Sequence, residues 1–265
     1  MRLAPLAILV LGFGVCASHA DTVLITGANT GIGLEFATQY AARGWTVIAT
    51  HRHAETPDSL KQLQARYPRV RIERMDVTSQ EEVAGVARKL DGAPIDVLIN
   101  NAGVYAESNL DASTQDFGKY DFALMDTIMA VNVKGPLLVT QAFYPNIKAS
   151  RQRKIVAISS TTGSLTQPYP GTNGVFYRAS KAALNREMQV MAEVARPDGV
   201  SVLILHPGVV RTERMVEYVQ KYSAAVDSEA LTPAQSVGHM IETIGNATLA
   251  NSGRFLRYDG KELAW

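Results

Sequence analysis

Short runs of apolar, mostly β-branched residues recur along the chain and alternate with stretches that have the periodicity of helices. The runs are TVLIT (22–26), TVIAT (46–50), VRIERM (70–75), DVLIN (96–100), KIVAIS (154–159), VSVLIL (200–205) and RFLRY (254–258). They lack the strict alternation of apolar and polar residues that marks a strand with one solvent-exposed face, so they suit strands that are covered on both faces. This order predicts an α/β fold in which about seven strands form a doubly wound parallel sheet with helices on both faces.

The chain shows no internal repeat or flexible linker, so residues 21–265 are predicted to form a single domain. Helix starts are indicated at Thr56-Pro57-Asp58, at Thr78-Ser79 and at Thr232-Pro233, where capping residues and first-turn prolines or acids stand together. The longer connections, 104–121, 161–175 and 208–231, follow the carboxyl ends of predicted strands. Ligands bind at this edge of an open α/β sheet.

Charge and cysteine content exclude several kinds of partner. The chain has 265 residues and a formal net charge of +1, with no long run of one sign. It therefore lacks the basic surface expected of a protein that binds nucleic acid. Cys16 is the only cysteine, so we expect neither disulfides nor a cysteine metal site. No histidine or acid stands at metal-ligand spacing to His206, which we interpret as structural, and no metal is expected.

The first twenty residues have the pattern of an export leader. Arg2 precedes an uncharged stretch, residues 3–17, and Ser18-His19-Ala20 resembles a cleavage site. The apolar run is shorter than the ~20 residues of a membrane-spanning helix, so no stable span is expected. We predict a signal peptide over 1–20 and an exported protein, periplasmic or secreted. The alternatives are a lipoprotein at Cys16, and an N-terminal extension or misassigned start on a cytoplasmic protein.

A glycine-rich loop follows the first predicted strand. It reads Thr26-Gly27-Ala28-Asn29-Thr30-Gly31-Ile32-Gly33 and leads directly into a helical pattern. Glycines let the backbone turn sharply and approach a pyrophosphate, and the free N–H groups of the next helix attract its charge. A glycine cluster also occurs in plain turns, but the strand-loop-helix context favours binding of a dinucleotide in a Rossmann-type fold.

The end of the second strand indicates which dinucleotide is bound. Domains that bind NAD usually place an acid here for the ribose 2′-hydroxyl, whereas this chain has His51-Arg52-His53. A guanidinium can pair with a 2′-phosphate, so NADP(H) is favoured and NAD(H) is the alternative. Arg52 could instead be a solvated loop residue.

Two further segments end predicted strands at the same edge. Asp76 follows the third strand, where it could meet the adenine or cap the following helix. NNAG (100–103) ends the fourth strand. This loop could lie over the cofactor or simply form a turn.

Tyr177 and Lys181 stand four residues apart in FYRASKAALN, so a helix would place their side chains on one face. A phenol with a pKa of about 10 is a poor proton donor near neutral pH, and a neighbouring ammonium favours the phenolate. An apolar strand ending in Ser159-Ser160 precedes this helix, and Asn132 lies within an earlier one. These groups suit hydride transfer to a carbonyl, in which the oxygen must receive a proton.

Taken in order, these motifs resemble the short-chain dehydrogenase/reductase family along essentially all of residues 21–265. T-G-x3-G-I-G, N-N-A-G, the helical Asn132, Ser-Ser, Y-x-A-S-K and HPGVVRT occur in the family's order. The ending GRFLRYDGKELAW further resembles the Sniffer- and C-factor-like carbonyl reductase branch.

The resemblance implies Tyr177 as general acid/base, Lys181 as the residue that lowers its pKa and holds the nicotinamide ribose, Ser160 as donor to the substrate oxygen, and Asn132 as holder of a water in the proton relay. The implied cofactor-binding residues are Gly27, Asn29, Gly31, Ile32, Gly33, Arg52, Asp76, Asn101, Ala102, Gly103, Tyr177, Lys181, Pro207, Gly208, Val210 and Thr212.

One departure from the family pattern affects the substrate side. Ser160 and Tyr177 are seventeen residues apart, because QPYPGTNG (167–174) extends this connection beyond the family's usual interval. Ser160 is preferred to Ser159 because a turn of small residues ending in Gly163 follows it. Tyr105 and Tyr169 could line the pocket, but we interpret them as packing residues outside the site.

These inferences predict an NADP-dependent oxidoreductase that transfers a hydride between nicotinamide and a small carbonyl or alcohol substrate. The alternative is a non-catalytic dinucleotide-binding sensor or partner-binding protein with the same fold. The resemblance also implies a homodimer or homotetramer that pairs through the helices carrying Asn132 and Tyr177. An exported form would have to find its cofactor outside the cytoplasm, so the leader and the glycine loop point to different compartments.

Overall fold

The structure is a computed structural model that describes residues 20–105, 112–167, 174–222 and 230–265. The predicted signal peptide lies outside these ranges except for Ala20, so Cys16 and the rest of the predicted cleavage motif are outside them as well. Tyr169 and most of the QPYPGTNG insertion also lie outside the described residues.

Each of the seven apolar runs forms a strand, within a residue or two of the predicted bounds. The strands are β1 Thr22–Ile25, β2 Thr46–His51, β3 Val70–Arg74, β4 Val97–Asn100, β5 Lys154–Ile158, β6 Ser201–His206 and β7 Phe255–Arg257. They form one sheet in the order β3-β2-β1-β4-β5-β6-β7, and every neighbouring pair is parallel. The strand order reverses between β1 and β4, and in such sheets the ligand crevice opens at this point.

Both faces of the sheet are covered, which explains why the runs are almost continuously apolar. Along β1, Val23 and Ile25 belong to one buried cluster, with Phe36 of the first helix. Leu24 points the other way and belongs to a second cluster, with Phe143 and Met188. The predicted architecture is thereby confirmed.

The helices alternate with the strands as the sequence predicts. They are α1 Gly31–Ala42, α2 Asp58–Arg66, α3 Gln80–Leu90, α4 Phe122–Met129, α5 Gly135–Lys148, α6 Val175–Ala195, α7 Glu213–Tyr222 and α8 Pro233–Gly245. Thr232 and Gln235 form a capping box at α8. Ser79 caps α3 by accepting a hydrogen bond from the Glu82 N–H. At α2 the residue before the helix is Pro57, and no side chain caps it.

A π-helical turn, Ala130–Lys134, joins α4 to α5. The resulting stretch, Phe122–Lys148, is the one helix in the described ranges whose length and apolar composition would let it cross a membrane. In the fold it packs on α3, β4 and β5, as a core helix does. A π-turn inside an α-helix is frequently found at a functional site, and this one carries Asn132.

Candidate active site

A cleft of about 490 Å³ opens at the carboxyl ends of β1, β2, β3 and β4. The predicted cofactor-binding residues that line it are Gly27, Asn29, Gly31, Ile32, Gly33, Arg52, Asp76, Asn101, Ala102, Gly103 and Thr212. The cleft is therefore at the edge that the strand order predicts.

The glycine loop has the geometry of a phosphate cradle. Gly27 and Gly31 have φ of +63° and +53°, a region that residues with a Cβ rarely adopt. A Cβ on Gly33 would lie 2.3 Å from the main-chain oxygen of Gly27. Thr30, the N-cap of α1, makes no side-chain capping bond, so the first N–H groups of this helix are left for an anion. The loop thus fits a dinucleotide pyrophosphate.

The connection after β2 lines the cleft with His51, Arg52 and His53. Arg52 is exposed, as a residue that meets a ligand phosphate must be before binding. His51 is buried, and its burial together with the neighbouring His53 and Arg74 lowers its pKa. His53 approaches the side chain of Asn29, with 3.4 Å between Nε2 and Nδ2. The sequence analysis singled out only Arg52 of this trio.

Asp76 lines the cleft but does not cap α3. Its Oδ1 accepts hydrogen bonds of 2.8 Å from both the N–H and the hydroxyl of Thr78. The cap itself is Ser79, so the alternative role of Asp76, as the cap of α3, is not observed: the aspartate closes a turn just before the helix.

The NNAG segment ties β4 to the glycine loop. The Asn101 amide donates to the main-chain oxygens of Thr26 and Gly27, at 2.9 and 3.1 Å. The Thr26 hydroxyl oxygen accepts from the N–H groups of Asn101 and Ala102, each at 3.0 Å. The segment therefore fixes the cradle as well as lining the cleft.

The segment after β6 divides into two parts. Thr212 lines the cleft, and its Cγ2 is 3.3 Å from the Cβ position of Gly31. Pro207, Gly208 and Val210 are not among the residues that line it. Val210 is buried and bridges to Leu231. Three charged residues of α7 that the sequence analysis missed do line the cleft: Glu213, Arg214 and Glu217.

Tyr177 and Lys181 share one face of α6, as their spacing predicts. Lys181 Nζ lies 5.6 Å from the centroid of the Tyr177 ring and donates a 2.9 Å hydrogen bond to the main-chain oxygen of Ile158. The lysine is buried, and burial lowers its pKa to about 8. An amine with this pKa still carries a proton at pH 7, so its charge favours the tyrosinate form of Tyr177.

Tyr177 and Lys181, which were predicted to bind the cofactor, are not among the residues that line the described cleft, but Gly103 brings Lys181 close to it. The Cβ position of Gly103 is 3.4 Å from Asn132 Oδ1 and 3.7 Å from Lys181 Nζ, and Gly103 itself lines the cleft. The Asn132 side chain is fully buried: it accepts from the Val104 N–H and donates to the Val104 oxygen and to Ser180 Oγ. Asn132 therefore anchors the backbone immediately after the NNAG turn.

The two serines after β5 point to different partners. Ser159 is buried, and its hydroxyl donates to Asn185 Oδ1 on α6. Ser160 Oγ accepts hydrogen bonds from the N–H and the hydroxyl of Thr162, at 3.2 and 2.9 Å, so its own proton can be donated. A Cβ on Gly163 would lie 2.6 Å from the main chain of Lys181, which explains the small residue there. The choice of Ser160 stays a prediction, with the difference that Ser159 already donates to Asn185.

Tyr105, which the sequence analysis left outside the site, lies within it. Its ring packs edge-on against Tyr177, with 5.0 Å between centroids and 70° between planes. The candidate active site therefore has a second phenol beside the predicted acid/base.

Comparison with known proteins identifies the family of this chain. The family model for short chain dehydrogenases matches residues 21–223. The chain belongs to the short-chain dehydrogenase/reductase family. It is accordingly an oxidoreductase of the NAD(P)-dependent dehydrogenase/reductase type.

Relatives within the short-chain dehydrogenase/reductase family match nearly the whole chain. An uncharacterized oxidoreductase of Schizosaccharomyces pombe, C663.06c, is 32% identical over 91% of this chain and 96% of its own. The 1-hydroxy-2-glutathionyl-2-methyl-3-butene dehydrogenase of a Rhodococcus strain is 34% identical over 92% of this chain and 100% of its own.

Among solved structures, the NADPH-bound carbonyl reductase from chicken fatty liver is similar, with a TM-score of 0.81 and 31% identity. The match covers 93% of this chain and 100% of that one. This similarity agrees with the carbonyl reductase branch that the C-terminal segment indicates.

Proposed function

We propose that this protein is an NADP(H)-dependent oxidoreductase that interconverts a carbonyl compound and its alcohol. The observation that carries the proposal is the position of Lys181 Nζ. It lies 5.6 Å from the centroid of the Tyr177 ring and 3.7 Å from the position that a Cβ on Gly103 would occupy, and Gly103 lines the cofactor cleft. The cation beside the phenol thus stands next to a residue of the dinucleotide cleft, an arrangement that suits carbonyl reduction.

In the reduction of a carbonyl compound, the residues of this site would have the following roles. NADPH, held by the glycine loop and Arg52, would supply the hydride for the carbonyl carbon. The Tyr177 hydroxyl donates its proton to the carbonyl oxygen, and Lys181 stabilises the tyrosinate that is left. Ser160 donates a hydrogen bond to the same oxygen, on which negative charge develops. The product is the alcohol, and Tyr177 regains a proton from solvent.

In this proposal Asn132 contributes through the main chain. Its side-chain amide is engaged by Val104 and Ser180. A water that passes protons toward Lys181 would therefore be held by the Asn132 main chain, within the π-helical turn.

The preference for NADP(H) is supported by the end of β2. Arg52 lines the cleft and is exposed, and the carboxylates that line the described cleft, Asp76, Glu213 and Glu217, lie on other segments. A guanidinium can form two parallel hydrogen bonds with a phosphate. The chicken carbonyl reductase that this fold resembles was solved with NADPH bound.

The competing proposal is a non-catalytic sensor that binds the dinucleotide. One experiment separates the two: NADPH and NADH oxidation by the purified protein is followed over a panel of aldehydes, ketones and quinones. We expect NADPH oxidation that depends on a carbonyl compound, with NADH much less effective. Tight NADPH binding without oxidation by any member of the panel would favour the sensor.

We propose that residues 1–20 direct export and are removed. The described fold is compatible with a cut after Ala20, because it engages the next residue: the Asp21 main-chain oxygen accepts from the Thr46 N–H, and the Asp21 carboxylate binds Arg151 and Gln152. A cut after Ala20 would leave these contacts intact. N-terminal sequencing of the protein from a fractionated native host tests the proposal. An N-terminus at Asp21 outside the cytoplasm is expected, and intact Met1 in the soluble cytoplasm would contradict it.

Pairing of two or four chains is also proposed. The outer face of α6 carries Val190 and Val194, which are 47% and 62% exposed. Burial of such a face in a second copy would be favourable. Light scattering should give the mass of a dimer or tetramer, and Val194→Glu should shift that mass toward a monomer; a monomeric parent protein would contradict this proposal.

A further inference from the structure

Gln115 is a fully buried amide in the long connection between β4 and α4. It ends a short 3₁₀ turn, Ala112–Gln115. Its Oε1 accepts a 3.1 Å hydrogen bond from the Tyr177 N–H, and its Nε2 donates a 2.6 Å hydrogen bond to the main-chain oxygen of Tyr105. One side chain therefore joins two segments that are 62 and 10 residues away from it along the chain.

The bond to Tyr177 supplies a cap that α6 lacks locally. The first N–H groups of a helix have no partner within the helix, and a side chain at the N-cap usually satisfies one of them. The N-cap of α6 is Gly174, which has no side chain and a φ of +72°. Tyr177 is the third residue of the helix, and Gln115 takes the place of the missing cap from outside.

Gly174 has to be small because Tyr105 occupies the adjacent space. A Cβ on Gly174 would lie 3.0 Å from the Tyr105 hydroxyl oxygen. The helix start and the Tyr105 ring are thus packed closely together. Gly174 cannot supply a side-chain cap, and in this structure the hydrogen bond comes from Gln115 instead.

The bond to Tyr105 holds the second phenol in place. The backbone one residue earlier is clamped by Asn132, which bonds both the N–H and the oxygen of Val104. Gln115 then fixes the oxygen of Tyr105, whose ring packs edge-on against Tyr177. The two amides together determine where the Tyr105 ring stands against the Tyr177 ring.

We infer that Gln115 is a positioning residue. It determines how far the Tyr177 side chain extends into the site, and it orients Tyr105 as the substrate-facing wall beside Tyr177. The inference rests on the proposed function, since it assigns Tyr177 to proton transfer. A displacement of about 1 Å at a reacting group can reduce turnover by about 10²-fold. Loss of the Gln115 amide should therefore affect turnover much more than cofactor binding.

The test compares Gln115→Leu, Gln115→Glu and the matched control Asn146→Leu in the full-length protein. Asn146 is also a buried amide that donates to a main-chain oxygen, that of Ala93, but its hydrogen bond joins α5 to the connection before β4 and does not involve Tyr105 or Tyr177. The first readout is amide hydrogen exchange at the start of α6, which needs no turnover. Gln115→Leu should accelerate exchange of the Tyr177 N–H, whereas Gln115→Glu and Asn146→Leu should leave it protected.

The second readout is steady-state kinetics with NADPH. Gln115→Leu should lower kcat by about 10- to 100-fold while the Kd for NADPH stays within about twofold. Gln115→Glu keeps the acceptor for Tyr177 but loses the donor to Tyr105, so its kcat should exceed that of Gln115→Leu while its KM for the carbonyl compound rises.

Unchanged exchange of the Tyr177 N–H in Gln115→Leu would overturn the positioning role, and so would a kcat equal to that of Asn146→Leu. Failure of the proposed function has a different signature: the wild-type protein would not turn over, while the exchange result would stand.

Discussion

Lys181 Nζ lies 5.6 Å from the centroid of the Tyr177 ring and donates a hydrogen bond to the main-chain oxygen of Ile158. Burial at this position costs free energy for a charged amine, and it therefore lowers the pKa of Lys181 to about 8. The fold nevertheless holds this cation beside the phenol. Such a cost is common at active sites, where chemistry and stability make opposite demands.

The cost of burying Lys181 predicts a pH dependence of stability. The pKa is about 8 in the folded protein against 10.5 for an ordinary lysine, so between these values the unfolded chain binds more protons. The free energy of unfolding should therefore rise with pH across this interval, relative to that of Lys181→Met, by on the order of 3 kcal/mol. Urea denaturation of both proteins at the two ends of the interval measures the difference. A difference that does not change with pH would show that the ammonium is not buried.

Arg52 is predicted to determine cofactor preference. Arg52→Glu places a carboxylate where the 2′-phosphate of NADPH would bind, and the same carboxylate can accept from the 2′-hydroxyl of NADH. The Kd for NADPH should rise at least about tenfold, and the Kd for NADH should fall. Isothermal titration with each cofactor measures both constants. Arg71→Glu is the control, since Arg71 is exposed and does not line the cleft; an equal loss of NADPH affinity in both variants would contradict the role of Arg52.

Glu187 is predicted to destabilise the fold above neutral pH. Its Oε2 is buried without a hydrogen-bond partner among the described residues, and burial raises the pKa of the carboxyl to about 7. Because the pKa in the folded protein lies above the ordinary value of 4.5, the free energy of unfolding falls as pH rises from 4.5 to about 7. With allowance for the partial exposure of this side chain, Glu187→Gln should raise the free energy of unfolding by about 1 to 2 kcal/mol above pH ~7. Near pH ~4 the carboxyl is protonated in both states, so the substitution should leave the free energy of unfolding almost unchanged. Thermal unfolding at both pH values tests this, and a gain of equal size at both would contradict it.

The sheet could be predicted from sequence because each of its features is local. Continuous apolar runs are dictated by burial on both faces, and β1 shows this with Val23 and Leu24 in opposite layers. The glycine loop and the Tyr177–Lys181 spacing are equally local, since a turn and one helix face are set by neighbouring residues.

Several parts of the site depend on how distant segments pack, and there the sequence analysis was incomplete. The positions of Tyr105 and Gln115 depend on hydrogen bonds between distant segments, from the Val104 N–H to Asn132 and from the Tyr177 N–H to Gln115, so spacing alone does not reveal them. The charged residues of α7 line the cleft, and this placement depends on where the segment after β6 packs, which their spacing does not reveal. Asp76 and Ser79 both suit a helix start by residue type, and only geometry separates the turn from the cap.

The most direct test of the central claim is the turnover of Tyr177→Phe. This variant keeps the ring against Tyr105 but removes the hydroxyl, and NADPH oxidation with the best carbonyl substrate is compared with the Kd for NADPH. Proton donation by Tyr177 predicts a loss of kcat of at least about 10³-fold, with the Kd within about twofold of the wild-type value. Turnover near the wild-type rate would contradict the claim and remove Tyr177 from the reaction.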